Sequence, residues 1–146
     1  MRSEELMQND WVKLEANLPI YCKVRAITAS GHIMGETSSG GHFEQKASRL
    51  VPIELVQDTI LCTTFWLKKK DIFCKTVRGV AAFTYDVKNR MLTVVNYDTN
   101  STNCHRVTFM HELQQLYRHY IGQELEVDMM HSKRKEYSKR YYHKEG

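Results

Sequence analysis

Residues 107–127 constrain the fold more than any other segment, because their apolar side chains recur at intervals of three and four. This spacing places six apolar side chains on one side of an α-helix of three to four turns: Phe109, Leu113, Leu116, Tyr117, Tyr120 and Ile121. Thr108 is the predicted N-cap and Gly122 the predicted left-handed C-cap. After the glycine, residues 123–127 alternate between polar and apolar types, which predicts a short strand with its apolar side chains turned inward.

The remainder of the chain is dominated by short segments rich in β-branched and aromatic residues, separated by turn-forming residues. Strands are predicted at 11–15, 20–28, 32–34, 49–51, 72–77, 80–85, 91–97 and 104–107. A second helix is predicted at 56–65, a charged turn at 68–71 and a loop at 35–47. Neighbouring strands joined by short turns favour an α+β fold in which an antiparallel sheet of short strands carries two helices on one face.

The size and composition predict one folded domain, at residues 1–130. The 146 residues are enough for a hydrophobic core, and 42% are hydrophobic and 26% charged. No apolar run is long enough to cross a bilayer, and residues 1–20 lack the apolar core of a signal peptide, so we expect no membrane partner and a cytoplasmic location. The four cysteines are widely spaced and are expected to be free thiols.

The charge of the chain is concentrated in a basic and aromatic C-terminal tail, residues 131–146. Two acidic residues in this segment stand against six basic ones: Lys133, Arg134, Lys135, Lys139, Arg140 and Lys144. The whole chain has 21 basic and 17 acidic residues. Residues 1–130 therefore hold 15 of each and are neutral, and the tail carries the whole excess.

The tail composition predicts binding to nucleic acid. Cationic side chains neutralise phosphates with release of counterions, and tyrosine rings stack on exposed bases. The candidate ligand-binding residues of the tail are Lys133, Arg134, Lys135, Tyr137, Lys139, Arg140 and Tyr141. Two other interpretations stay open, a solvated terminus and an arm that packs on a second copy of the chain.

A run of small residues at positions 37–41 is the second candidate for ligand binding. Consecutive small residues can present backbone N–H groups to an anion, and cations follow a few residues later. The candidate residues are Gly40, Gly41, His42, Lys46 and Arg49. The tip of a β-hairpin has the same composition, so this alternative also stays open.

No arrangement of residues predicts catalysis, a metal or a cofactor. Cys104, His105 and His111 would suit zinc if strand and helix brought them together, but no fourth ligand has a recognisable spacing. Cysteine and histidine are frequent enough here for chance pairs to be common, and no glycine-rich phosphate loop is present. We therefore predict a protein that is not an enzyme.

Three segments resemble small uncharacterised α+β proteins of gut-bacterial phages and mobile elements. They are residues 5–12, the Val-Pro-Ile-Glu-Leu segment at 51–55, and the Met-His-Glu-Leu-Gln-Gln-Leu-Tyr segment at 110–117, which is followed by Gly-Gln-Glu-Leu at 122–125. The last motif, His-x-Leu-Gln-x-Leu-Tyr with Gly-x-Glu-Leu in that family, is the specific one. The resemblance implies a compact α+β fold and a mobile-element origin, but it brings no known activity.

These observations predict a non-catalytic phage or mobile-element protein that binds a polyanionic ligand, a nucleic acid or a nucleotide. The alternative is a counter-defence protein that sequesters a nucleotide immune signal or inhibits a host defence enzyme. That alternative would make a host defence protein the partner, in the host cytoplasm. Homo-oligomerisation is compatible with either hypothesis.

Overall fold

The computed structural model describes residues 1–129. The predicted tail therefore lies outside the described residues, together with seven of the candidate ligand-binding residues: Lys133, Arg134, Lys135, Tyr137, Lys139, Arg140 and Tyr141. The domain boundary at residue 130 and the roles of these side chains stay predictions. No helix within residues 1–129 is both long and apolar enough to cross a bilayer.

Ten strands, two α-helices and two single-turn 3₁₀ helices, at Ser3–Glu5 and Ala47–Arg49, make up the regular structure of the described residues. The strands and α-helices are labelled here. In chain order they are β1 (Trp11–Glu15), β2 (Leu18–Ile27), β3 (His32–Thr37), β4 (His42–Lys46), β5 (Val51–Pro52), α1 (Gln57–Ile60), β6 (Trp66–Lys69), β7 (Ile72–Val77), β8 (Ala81–Asp86), β9 (Met91–Asn96), β10 (Ser101–Arg106) and α2 (Met110–Ile121). The predicted α+β class, with short antiparallel strands and two helices, is confirmed.

The strands form two five-stranded sheets, which refines the single sheet expected from the sequence. The first sheet has the order β4-β3-β2-β1-β5 and the second the order β10-β9-β8-β7-β6. Every pairing in both sheets is antiparallel. Chain neighbours pair within each sheet except where β5 returns to β1, and such a long-range pairing leaves no local signal in the sequence.

Strand β1 is buried on both faces and joins the two hydrophobic clusters of the described residues. Val12 and Cys22 belong to a smaller cluster on one side of the first sheet, whereas Trp11 and Tyr21 belong to the larger cluster around α2. Successive side chains of a strand point to opposite faces, so each adjacent pair serves both clusters. The first sheet is therefore anchored directly to the core of the second.

The register of β2 corrects one predicted face. The sequence places Ile20, Cys22, Val24 and Ala26 on one side of the strand, but the pairing of β2 with β3 shifts between Val24 and Ala26. Cys22 and Val24 are fully buried, while Ala26 is exposed. The extra residue of a bulge reverses the alternation beyond it.

The second sheet and α2 form most of the larger cluster. Tyr117 of α2 packs on Phe83 of β8, with their ring centroids 5.2 Å apart. The buried Tyr85 hydroxyl donates a hydrogen bond to the Val107 carbonyl at 2.6 Å, and its burial raises the pKa of Tyr85 to about 12. The sheet therefore holds the chain just before α2 as well as the helix itself.

The predicted α2 is confirmed, with corrections at both ends. Gly122 has the expected left-handed conformation, with φ of +78°. Thr108 is not the N-cap, because Phe109 holds that position and the Glu112 carboxylate accepts the N–H groups of both Thr108 and Phe109 at 3.0 Å. Beyond the glycine no strand forms, since only Val127 makes an isolated bridge, to Thr63. Leu125 nevertheless lies in the core as predicted.

The predicted helix at 56–65 is much shorter than expected. It ends at Ile60, and the Thr63 hydroxyl donates to the Ile60 carbonyl at 2.7 Å and accepts the Phe65 N–H at 3.0 Å. A threonine hydroxyl that binds backbone groups offers the chain an alternative to the helix. Strand β6 begins at Trp66 and includes Lys68 and Lys69, which the sequence assigned to a charged turn at 68–71.

The predicted loop at 35–47 is mostly strand, since β3 continues to Thr37 and β4 begins at His42. Gly35 lies within β3, where a Cβ atom would be 1.9 Å from the Lys23 carbonyl oxygen of β2. The glycine is required by the close approach of two strands rather than by a turn. The real connection is the short tip at 38–41, which leads into β4.

Candidate functional site

A buried glutamine of α2 holds the start of β1. Gln114 is 1% exposed, its side-chain oxygen accepts the Trp11 N–H at 2.8 Å, and its side-chain N–H donates to the Asn9 carbonyl at 2.9 Å. Both polar groups of the Gln114 side chain therefore have hydrogen-bond partners. These partners are backbone groups that are not hydrogen-bonded within the first sheet. This bond pair fixes Trp11 against the helix.

Gln115 and Arg118, which follow Gln114 on α2, extend this contact into a polar cluster. Gln115 donates to the Asp10 carboxylate at 2.8 Å, and Arg118 approaches the same carboxylate at 3.4 Å. Arg118 also binds both carboxylate oxygens of Glu124, at 2.8 and 2.9 Å. The hydrogen bonds from Arg118 hold the pKa of Glu124 below its usual value. The chain after α2 is thus tied to the N-terminal turn through one guanidinium group.

Two adjoining depressions lie beside this cluster and share Trp11 and Lys23 in their walls. We call them together the Trp11 groove. One, of about 340 Å³, is also lined by Arg25, Glu36, Asp128 and the turn at 37–40. The other, of about 260 Å³, is also lined by Asn9, Gln114 and residues 124–127. We take this groove as the candidate ligand site, because it lies beside the polar cluster and includes the turn at 37–40.

The charges that line the Trp11 groove are mixed. Lys23 and Arg25 face four carboxylates: Glu36, Glu124, Glu126 and Asp128. Arg25 is 3.4 Å from Glu36 and donates to the Asn9 side chain at 3.0 Å, so its charge is already balanced within the groove. Such a surface suits a ligand that carries both signs of charge or hydrogen-bonding groups better than it suits a polyanion.

The turn at 37–41 lines the groove, but its amide groups bind within the hairpin. Ser38 donates to the Tyr21 carbonyl at 2.7 Å, Gly40 to the Thr37 carbonyl at 3.0 Å, and Gly41 to the Thr37 hydroxyl at 3.0 Å. These three N–H groups are therefore not directed at an anion. Of the predicted glycines, Gly40 lines the groove, and the role of both in ligand binding stays a prediction.

The cations predicted to accompany this turn lie elsewhere. Lys46 lines a separate depression with the N-terminal residues, and Arg49 lines another with Glu15. His42 begins β4 opposite Glu36 and is exposed. The hairpin carries Lys46 away along β4, so the turn meets Lys23 and Arg25 of the neighbouring strand instead.

Two ionisable side chains are buried beneath the polar cluster. Asp10 is fully buried, and its burial raises the pKa of its carboxyl, against the hydrogen bonds from Gln115 and Met7. His111 is 5% exposed, and its Nδ1 has no hydrogen-bond partner within the described residues. Burial lowers the pKa of His111, against the charges of Asp10 and Glu112. Both groups act as structural parts of the joint between α2 and β1.

The cysteine and histidine residues considered for zinc do not converge. Cys104 and His105 are neighbours on β10, so their side chains point to opposite faces of the sheet. His105 Nε2 lies 2.7 Å from the Tyr120 hydroxyl, whereas the Cys104 sulfur lies 3.7 Å from the Thr93 hydroxyl. His111 is buried next to Phe109. Within residues 1–129 no group of three or more potential metal ligands comes together.

The four cysteines are thiols rather than disulfides, and three of them are buried. Cys22, Cys62 and Cys74 are buried, and Cys104 alone is exposed. Burial raises the pKa of Cys22 to about 11, which keeps this thiol protonated at neutral pH. The four side chains are thiols, as the sequence predicts.

Sequence reasoning missed the residues that form the groove. Trp11, Lys23 and Arg25 lie on neighbouring strands that meet only after the hairpin folds. Two signals were present in the sequence. Trp11 and Val12 are adjacent apolar residues, which indicates burial on both faces of the strand, and Gln114 lies between the apolar Met110 and Tyr117 at helical spacing.

Comparisons with protein-family models, curated proteins and solved structures found no match to this chain. The resemblance to phage and mobile-element proteins therefore stays a prediction.

Proposed function

We propose that this protein is a non-catalytic binding protein whose ligand is a nucleic acid, held by the basic segment 131–146. The observation that carries the proposal is the division of charge. Residues 1–130 hold equal numbers of acidic and basic residues, whereas the last sixteen residues hold six bases against two acids. A neutral folded body with one strongly cationic, tyrosine-containing segment has the composition expected for contact with a phosphate backbone and unstacked bases.

The position of the Trp11 groove supports an additional contact. Asp128 lines the groove, and the basic segment begins three residues later in the sequence. The proposal therefore includes Lys23 of the groove as one further cationic contact for a single-stranded ligand. The four carboxylates of the groove argue against the groove as the main phosphate site, so the proposal assigns the phosphates to the segment.

The proposal retains a phage or mobile-element origin, in which small nucleic-acid-binding proteins are common. Sequestration of a nucleotide immune signal, or inhibition of a host defence enzyme, is the competing function. A protein that sequesters a nucleotide would need a compact cationic pocket. The mixed charge of the Trp11 groove therefore supports this function less well. A panel of cyclic and linear nucleotides separates the two, because a ligand at a hundred times its dissociation constant stabilises the protein by about 2.7 kcal/mol.

Binding of a fluorescent single-stranded oligonucleotide to the intact chain tests the proposal. Replacing Lys133, Lys135 and Lys139 by glutamine should weaken binding by about tenfold or more, because each removes a phosphate contact. The matched control replaces Lys68, Lys69 and Lys70, three exposed cations next to β7, and changes the net charge by the same amount. Equal losses in both variants, or no binding by the intact chain, would reject the proposal.

A further inference from the structure

One of the four sheet edges in the described residues lacks the features that usually prevent strands from pairing with other chains. Strand β5 has only two residues and includes Pro52, β4 carries Glu44 and Lys46, and β6 carries Lys68 and Lys69 beside a shift of register. Short length, proline, lysine and bulges all disfavour pairing at an edge. The remaining edge is β10, with the sequence Ser-Thr-Asn-Cys-His-Arg.

Strand β10 is regular along its whole length. All six of its residues pair in continuous register with β9, without a bulge, and five of the six are uncharged. Asn103, Cys104 and Arg106 are exposed. A regular strand with a single charged residue and one open edge is a template for a further strand.

The hydrogen-bond phase of β10 identifies the backbone groups at its open edge. The Val107 N–H donates to the Arg90 carbonyl at 2.9 Å, directly after the last pair of the ladder, Arg106 with Met91. Residues of an antiparallel strand alternate between the two sides. The N–H and C=O groups of Thr102, Cys104 and Arg106 therefore point away from β9.

There is room for a strand beside this edge. A groove of about 510 Å³ lies between β10 and α2, lined by Cys104, His105, Arg106, Glu112, Gln115 and Leu116. The contact between His105 Nε2 and the Tyr120 hydroxyl joins the inner face of β10 to the helix. An added strand would continue the sheet under the side of α2, with alternate side chains entering the groove.

We propose that β10 is a self-association surface, at which two copies of the chain pair antiparallel about Cys104. In this register the N–H and C=O groups of Thr102, Cys104 and Arg106 that point away from β9 all meet the corresponding groups of β10 in the second copy. Arg106 then lies opposite Thr102 of the second copy, and the two arginines stand at opposite ends of the ladder. A parallel arrangement would bring them side by side. The pairing gives an isologous dimer with about six added backbone hydrogen bonds.

The self-association surface does not depend on the proposed function. Dimerisation would nevertheless affect nucleic-acid binding. A dimer holds two basic segments in one particle, and two linked binding segments engage a long ligand more tightly than one. Loss of nucleic-acid binding would leave the dimer intact. Loss of the dimer would leave each segment able to bind.

Crosslinking of the intact chain tests the surface, because Cys104 is its one exposed cysteine. In the proposed dimer the two Cys104 Cα atoms are about 5.5 Å apart. A bismaleimide with a short spacer should therefore link two chains, and Cys104→Ser should abolish the product. Sedimentation should show a dimer of the untreated protein. A monomer at every concentration tested, or a dimer that the reagent does not link through Cys104, would overturn the proposal.

A charge variant distinguishes this edge from other contacts between copies. Thr102→Lys places a lysine opposite Arg106 of the second copy and should raise the dimer dissociation constant by about tenfold. Thr76→Lys is the control, because Thr76 is also exposed but lies on the interior strand β7. Circular dichroism verifies that both variants are folded. A folded Thr102→Lys variant that dimerises as well as the control would contradict the assignment to β10.

Discussion

Gln114 of α2 accepts a hydrogen bond from the Trp11 backbone N–H at 2.8 Å, across 103 residues of chain. The same side chain donates to the Asn9 carbonyl. One amide group therefore joins the helix that belongs to the second sheet to the first strand of the first sheet. The joint also builds a wall of the Trp11 groove, so the stability of the fold and the shape of the groove depend on the same contact.

Replacing Gln114 by alanine should lower the free energy of unfolding by about 3 kcal/mol. The change leaves the buried Trp11 N–H and the part-buried Asn9 carbonyl without the side chain that binds them, and an unsatisfied backbone group costs about 1–3 kcal/mol. Urea denaturation measures the effect. Gln123→Ala is the control, because Gln123 is exposed after the end of α2, and it should be nearly neutral. Equal stability of the two variants would show that the joint contributes little.

Replacing Glu112 by alanine should destabilise the protein by about 1 kcal/mol, because the Glu112 carboxylate caps two N–H groups at the start of α2. Thr108→Ala should cost less, since Glu112 rather than Thr108 provides the cap. Thermal unfolding of the two variants makes the comparison. A larger loss of stability for Thr108→Ala than for Glu112→Ala would contradict this assignment and would support Thr108 as the N-cap.

Gly35→Ala should destabilise the first sheet by about 1–3 kcal/mol, because the added Cβ would overlap the Lys23 carbonyl and the Phe43 ring. Gly41→Ala is the matched control. Its Cβ would meet only the Thr37 hydroxyl, at 3.3 Å. Denaturation of both variants tests whether glycine is needed for the strand approach or for the turn. A neutral Gly35→Ala variant would contradict the close approach of β2 and β3.

His111 should make the stability of the protein sensitive to acid. Its pKa is lowered in the folded state, so the unfolded chain binds the proton more readily, and stability falls as the pH drops below about 6.5 toward the folded pKa. The raised pKa of Asp10 acts in the opposite direction, since its protonation favours the folded state as the pH falls toward 3.8.

The His111→Phe variant isolates the contribution of the histidine. The difference in unfolding free energy between the intact chain and this variant should change by up to about 1.4 kcal/mol per pH unit just below pH 6.5. His119→Phe serves as the control, because His119 is exposed on the same helix. Parallel stability curves for the intact chain and His111→Phe would rule out the effect.

Local patterns predicted the helices and strands in which the apolar residues follow one clear periodicity. Strands β7, β8 and β9 and helix α2 were found within about one residue, because β-branched alternation and three-and-four spacing are strong there. Predictions failed where a side chain or a distant strand overrides the local pattern. The Thr63 hydroxyl binds the Ile60 carbonyl where the sequence predicts that the helix continues. The Lys23 carbonyl leaves room only for glycine at position 35, where the sequence predicts a loop.

The candidate site was predicted only in part. The turn at 37–40 does line a groove, as its small residues suggested. The cations nearest to this turn in the structure are Lys23 and Arg25, across the β2–β3 pairing, whereas Lys46 and Arg49 line other depressions. The part of Lys46 and Arg49 in ligand binding stays a prediction. Pairing of strands is a long-range property, and sequence distance is a poor guide to it.

The salt dependence of single-stranded nucleic-acid affinity tests the central claim most directly. If the six cations of the segment 131–146 contact phosphates, the logarithm of the association constant should fall against the logarithm of salt concentration with a slope of about −4. Glutamine at Lys133, Lys135 and Lys139 should reduce the slope to about −2, while the Lys68, Lys69 and Lys70 variant should keep the original value. A slope near zero, or one that the substitutions in the segment leave unchanged, would contradict the account.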